Sequence, residues 1–246
     1  MESDKKVSVL GVKFDSITLQ KAADSAVEAL YGGRARYVVT PNPEIVELCR
    51  KDAEFCRIVN DAYMVLPDGI GIVYGAKILG TPIAGRVPGI AFIETVFDKI
   101  KDTDRTVFLL GAAPGVAEAA KENLEAKYGG LKIVGTHDGY FDDDEEVLRL
   151  VNSCSPDLLI VCLGAPKQEK LMAKWRDRVD CRLMAGLGGC LDVFSGKVQR
   201  APEIWQKLGM EWLYRAICDP KRIKRIIKLP LFIFAAIGQR FSGKDN

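Results

Sequence analysis

Histidine is nearly missing from this chain: His137 is the only one in 246 residues. That argues against His-based zinc sites and against a Ser-His-Asp triad. Acid–base work must then fall to carboxylates, lysines or tyrosines. Paired thiol motifs are missing too. The seven cysteines (Cys49, Cys56, Cys154, Cys162, Cys181, Cys190 and Cys218) form no Cys-x-x-Cys, and their number is odd. Four of them sit in or beside apolar runs, which fits buried thiols in a reducing cytosol and not a disulfide framework. No apolar run reaches the roughly 20 residues that cross a bilayer. The opening Met-Glu-Ser-Asp-Lys-Lys leads into a strand pattern and not into a signal peptide's apolar stretch, so no secretory signal is expected. The net charge is only +2, so no overall basic field marks a nucleic-acid binder.

What is present suits a packed enzyme-sized fold. Apolar residues make up 48% and charged residues 28% of the chain, enough for a core and unlike a disordered segment. Short apolar runs at 7–12, 37–39, 64–66, 107–110, 132–134, 158–163 and 183–185 read as strands without polar alternation, as strands covered on both faces do. Helical patterns fall between them at 19–30, 44–49, 53–60, 90–100, 116–128, 145–151 and 167–175. Pro43, Pro114 and Pro166 stand where helices are expected to begin. The alternation predicts an α/β fold: a Rossmann-like, mostly parallel sheet with helices on both faces. From Ala201 the strand pattern stops, and two helical segments follow, separated by Asp219-Pro220. The expected organisation is a catalytic core over 1–200, with its cleft at the strand C-termini, and a helical, membrane-associating appendage over 201–246.

Ligands bind such sheets beyond the carboxyl ends of the strands. Four predicted strand ends carry polar or glycine-rich turns. The first, Thr40-Pro41-Asn42-Pro43, offers two hydrogen-bonding side chains, with Asn42 also suited to cap a helix. The second, Leu66-Pro67-Asp68-Gly69, puts a carboxylate at a glycine-rich helix start, where it reads either as a cap or as a general base. The third, Gly111-Ala-Ala-Pro-Gly115, is small enough for backbone amides to approach a phosphate, or is simply a tight turn. The fourth begins a helix with Lys167 and Gln168 directly after a strand, so both point at the same cleft, or it is a surface helix with an ordinary polar first turn. Asp142-Asp143-Asp144 imitates a metal-binding Asp-x-Asp but runs into Glu145-Glu146 at a helix start, where acids are favoured by the helix dipole; no metal is expected there. Lone His137 reads as a satisfied loop residue.

The segment 221–228 holds five basic residues and no acidic one, and an apolar run about half a bilayer span long follows it. Arg215, Arg222 and Arg225 would share a face if one helix ran through them, although Pro220 favours a break. Basic residues beside such a run suit an interfacial element on an anionic leaflet. Off the membrane, the same apolar face would favour self-association.

These segments together resemble the WecG/TagA/CpsF family of bacterial glycosyltransferases over nearly the whole chain. The resemblance rests on Thr-Pro-Asn-Pro-Glu (40–44), Leu-Pro-Asp-Gly-Ile-Gly (66–71), Gly-Arg-Val-Pro-Gly (85–89) and Phe-Leu-Leu-Gly (108–111). It continues through Gly-Ala-Pro-Lys-Gln-Glu (164–169), Gly-Gly-Cys-Leu-Asp-Val-Phe-Ser-Gly (188–196), Arg-Ala-Pro-Glu (200–203) and Gly-Met-Glu-Trp-Leu-Tyr-Arg (209–215). Within the family it is nearest the TagA type, which implies an inverting, metal-independent transfer of N-acetylmannosamine from a UDP-sugar to undecaprenyl-diphosphate-linked N-acetylglucosamine at the inner face of the plasma membrane. Carried over by motif, Asp68 becomes the base, Thr40, Asn42, Arg86 and Gln168 line the acceptor and donor site, and Arg215, Arg222 and Arg225 belong to an appendage that closes over it. Asp192 and Tyr140 are weaker candidates for the nucleotide. Two other readings compete: a nucleotide-binding oxidoreductase, against which the imperfect glycine motifs speak, and a membrane-recruited scaffold in which Asp68 is only a cap.

Overall fold

The structure is a computed structural model and describes residues 6–202, 204–205, 213–214, 217 and 228–242. Arg215, Arg222 and Arg225 lie outside the described residues.

The chain opens with β1 (Lys6–Val9) and β2 (Val12–Asp15), an antiparallel pair. The sequence reading ran a single strand through 7–12. The structure turns it back at Leu10-Gly11, with φ of 52° and 89°. Two successive left-handed residues match the twist of a tight hairpin, and a leucine at the first of them hides that turn from a composition-based reading.

The alternating part follows: α1 (Leu19–Ala29), β3 (Arg36–Val39), α2 (Pro43–Lys51), α3 (Ala53–Asn60), β4 (Met64–Val65), α4 (Ile70–Ile78) and α5 (Gly89–Ile100). Then come β5 (Thr106–Gly111), α6 (Val116–Tyr128), β6 (Lys132–His137), α7 (Asp144–Cys154), β7 (Leu158–Cys162), α8 (Lys167–Trp175), β8 (Leu183–Gly186) and α9 (Cys190–Phe194). Six strands form one sheet in the order β4-β3-β8-β7-β5-β6, every pairing parallel. Alternate residues enter opposite cores. Val38, Leu109, Leu158, Ile160 and Ala185 face one, with α1, α5, α6 and α9. Tyr37, Val39, Leu110, Leu159, Val161 and Met184 face the other, with the hairpin, α2, α3, α4, α7 and α8. This two-sided burial is why the strands read as continuous apolar runs. The edge strand β4 is short and covered: buried Asp15 of the hairpin accepts the Val65 N–H at 2.7 Å.

The final described helix, α10 (Lys228–Ser242), packs on α4 and α2. Phe232 and Ala236 are fully buried there, and Phe232 belongs to the second core. Glycines make room for it: a Cβ on Gly75 would lie 2.7 Å from the Phe232 ring, and one on Gly71 would lie 2.6 Å from Leu229. Arg240 fastens the far end by donating to the Leu79 carbonyl at 2.9 Å. The outward side carries exposed Leu231, Phe234 and Phe241. Among the described residues no helix is long and apolar enough to cross a membrane.

Candidate active site

The strand C-termini gather the predicted site residues in two groups. The first centres on the exits of β3 and β4. Leu66 N–H donates to the Val39 carbonyl at 2.9 Å, Asp68 N–H to the Pro41 carbonyl at 3.2 Å, and Val87 N–H to the Pro67 carbonyl at 2.8 Å. These three backbone bonds stitch the turns bearing Thr40 and Asn42, Asp68, and Arg86 into one patch. Asn42 caps α2, its Oδ1 accepting from Glu44 N and Ile45 N at 2.9 and 3.1 Å. Pro43 then occupies the first turn, where its missing N–H costs nothing.

The N-cap position of α4 falls to Gly69, at φ 95°, and Asp68 stands half-buried one residue before it.

Gln168 joins this group through the exit of β8. Buried Thr40 donates its Oγ1 proton to the Gly186 carbonyl at 3.0 Å, and buried Gln168 accepts the Gly188 N–H on Oε1 at 3.1 Å. Gly89, opening α5, closes on the same point: a Cβ there would lie 3.3 Å from Leu187 and 3.4 Å from Thr40. Asp192 follows on α9, and its carbonyl accepts from Val198 N–H at 2.9 Å.

The second group lies over β5, β6 and β7. Gly111 needs its missing side chain for packing, because at φ 130° a Cβ would strike the Cys162 backbone. Gly139 N–H donates to the Ala112 carbonyl at 2.8 Å, so the turn after β6 folds over the exit of β5. Lys167 donates to the Gly139 carbonyl at 3.1 Å and stacks 4.4 Å above the Phe141 ring. Tyr140 projects from this turn, 76% exposed, and offers a ring face to solvent. The oppositely running connections of β5 and β7 diverge here, the kind of crevice in which open parallel sheets take ligands.

The acidic run is a helix start. Asp143 caps α7 by accepting from Glu145 N at 2.9 Å, Asp144 pairs with Lys174 at 2.8 Å, and Glu145 accepts from Arg178 at 2.7 Å. The Arg178 hydrogen bonds hold the Glu145 carboxyl down at about 2. His137 sets Nδ1 2.8 Å from the Asp138 carbonyl and its ring edge-on to Phe141. Among the described residues no three His, Cys, Asp or Glu side chains gather as a metal cluster. Hollows of about 380 Å³ beside Glu94 and Tyr128, and about 500 Å³ beside Arg34 and Arg182, lie on the helix side and at the strand N-termini, away from both groups.

One residue the sequence reading passed over is Glu169. It is fully buried, accepts from Gln168 Nε2 at 2.8 Å on Oε1, and its Oε2 has no hydrogen-bond partner among the described residues. Burial raises its pKa above the usual carboxylate range, against the pull of the Gln168 bond. An unsatisfied buried polar group costs about 1–3 kcal/mol. The available signal was spacing: Gln168 and Glu169 fall on the helix face of Leu171, Met172 and Trp175, all buried.

The fold defines a Rossmann-like α/β protein with polar side chains gathered at its strand C-termini. The chain belongs to the Glycosyl transferase WecG/TagA/CpsF family, whose model matches residues 7–246. It is 35% identical over 233 residues to the N-acetylglucosaminyldiphosphoundecaprenol N-acetyl-beta-D-mannosaminyltransferase of Staphylococcus aureus strain MRSA252, covering 93% of this chain and 91% of that protein. The protein of the same name from strain NCTC 8325 / PS 47 matches with the same identity and coverage.

Proposed function

We propose that this chain transfers N-acetylmannosamine from UDP-N-acetylmannosamine to N-acetylglucosaminyl-diphosphoundecaprenol, with inversion at the donor carbon, in building the linkage unit of wall teichoic acid. The observation that carries the reading is the stitched patch of Thr40, Asn42, Asp68 and Arg86 beside Gln168, in a chain that is 35% identical to enzymes bearing that name. The acceptor hydroxyl oxygen attacks the anomeric carbon while its proton passes to the Asp68 carboxylate. The bond from that carbon to the diphosphate oxygen breaks, and UDP leaves with the electron pair. A positioned carboxylate suits this step because a sugar hydroxyl is a poor nucleophile. Arg86 supplies positive charge for the departing diphosphate, with Arg215, Arg222 and Arg225 closing from the appendage, and no metal takes part. Thr40, Asn42 and Gln168 line the site for the sugars; Gly111, Tyr140, Lys167 and Asp192 meet the nucleotide, Tyr140 by stacking. The protein works peripherally on the cytoplasmic leaflet, where the lipid acceptor is anchored, and residues 201–246 bring it there.

The test is transfer by the purified chain from a panel of UDP-sugars to a short-chain lipid-diphosphate-GlcNAc, with and without EDTA. UDP-N-acetylmannosamine should be the best donor and EDTA should leave the rate largely intact. A rate lost on chelation and restored by Mn²⁺ or Mg²⁺ would overturn the metal-free mechanism, and absence of transfer from every UDP-sugar would overturn the function.

A further inference from the structure

Glu169 has no part in the steps above, yet it is the one charged-type side chain sealed completely in the described interior at the edge of the site. Its side chain accepts from Gln168, whose amide is tied at both ends. Oε1 accepts from Gly188 N–H at 3.1 Å, and Nε2 donates to Glu169 at 2.8 Å. A primary amide has nearly the same shape either way round, so its orientation is set by what its two ends meet. Here one end meets a backbone donor and the other a carboxyl acceptor.

We propose that Glu169 is a positioning residue, which fixes the orientation of the Gln168 amide and through it the turn at 186–188 between β8 and α9. The assignment rests on the reading of Gln168 as part of the transfer site. Three observations support it. Gly186 leaves the notch in which the amide lies: a Cβ there would be 3.2 Å from Gln168 Nε2 and 2.6 Å from Met172. The turn itself needs holding, since Gly188 stands at φ 56° and leads directly into the helix bearing Asp192. Thr40 holds the same turn from the β3 side through the Gly186 carbonyl. The acid therefore completes a chain from α8 through Gln168 and the β8 exit to β3. Burial raises the pKa of the carboxyl and so favours its neutral form, in which the carbonyl oxygen accepts the amide hydrogen without adding negative charge where a diphosphate must depart.

The experiment compares wild type, E169M, E169Q, Q168M and the double variant Q168M/E169M as full chains. It reads transfer kinetics and amide hydrogen exchange across 186–188. Methionine matches glutamate in length but offers no comparable acceptor, so E169M should lower kcat about tenfold and speed exchange at Gly188. E169Q keeps an acceptor oxygen and should stay within about threefold of wild type in both readouts. If Glu169 acts through Gln168, adding E169M to Q168M should change nothing further. The proposal is overturned by E169M with normal kcat and exchange, by a folded E169Q as slow as Q168M, or by losses that add in the double variant. Should E169M not fold, E169Q alone decides. A wild-type chain without transfer activity would sink the proposed function, while the exchange measurements would still decide the positioning role.

Discussion

Asp68 illustrates how one residue can carry two explanations that a single substitution separates. A carboxylate before a helix is favoured by the helix dipole whether or not it does chemistry. The N-cap position of α4 falls to Gly69, and asparagine serves a helix start as well as aspartate, so a neutral isostere should keep the helix start. Asp68→Asn is expected to melt like wild type and to slow transfer about a hundredfold or more; near-normal turnover would remove Asp68 from the mechanism. The turns at 40–43, 66–69 and 164–169 were legible in the sequence because polar groups and glycines interrupt apolar runs there. Glu169 was not, because an acid after Lys167 and Gln168 looks like an ordinary polar first turn, and only packing reveals that it faces inward. Gly111 teaches the reverse: a glycine that suggests a phosphate loop is already required by the Cys162 backbone against it.

At the scale of elements, the six parallel strands and most helices followed from apolar runs and their spacing. The start of α4 was legible at Asp68-Gly69 but its extent was not, because Gly71 and Gly75 lie within it and glycine weakens helical preference. Both glycines are notches for α10, which no local pattern can announce. Phe232 fills one of them, and Phe232→Ala should cost about 3–5 kcal/mol of stability, read as a lower thermal midpoint; an unchanged midpoint would mean that α10 does not dock in solution. The start of α7 has its own signature. Because Glu145 titrates near 2 in the folded chain and near 4.5 otherwise, its ion pairing with Arg178 stabilises the fold above that ordinary value and is lost as pH falls from 4.5 toward 2. Glu145→Gln should therefore weaken the protein at neutral pH and match wild type at pH 2 in acid-unfolding curves. A variant that loses as much at pH 2 as at pH 7 would refute the pairing.

For the whole molecule, α10 has two faces with different destinations. Phe232 and Ala236 enter the core, whereas Leu231, Phe234 and Phe241 face out. Replacing the outward three by serine should leave thermal stability intact and reduce sedimentation with anionic liposomes; unchanged sedimentation would place membrane contact elsewhere. Removing everything after Arg200 is a harsher change, since it also strips Phe232 from the core. The strand order carries a consequence for synthesis. Among the described residues β8 is the last strand made, yet it lies in the middle of the sheet, between β3 and β7. Until residues 183–186 leave the ribosome, β4-β3 and β7-β5-β6 are two unfinished halves, each with a naked backbone edge. A nascent chain of this protein must therefore keep the β3 edge from other partners from residue 39 on, and the β7 edge from residue 162 on, until residue 186 has emerged, and the site it builds across β3, β8 and β7 comes into being only when that strand slides between them.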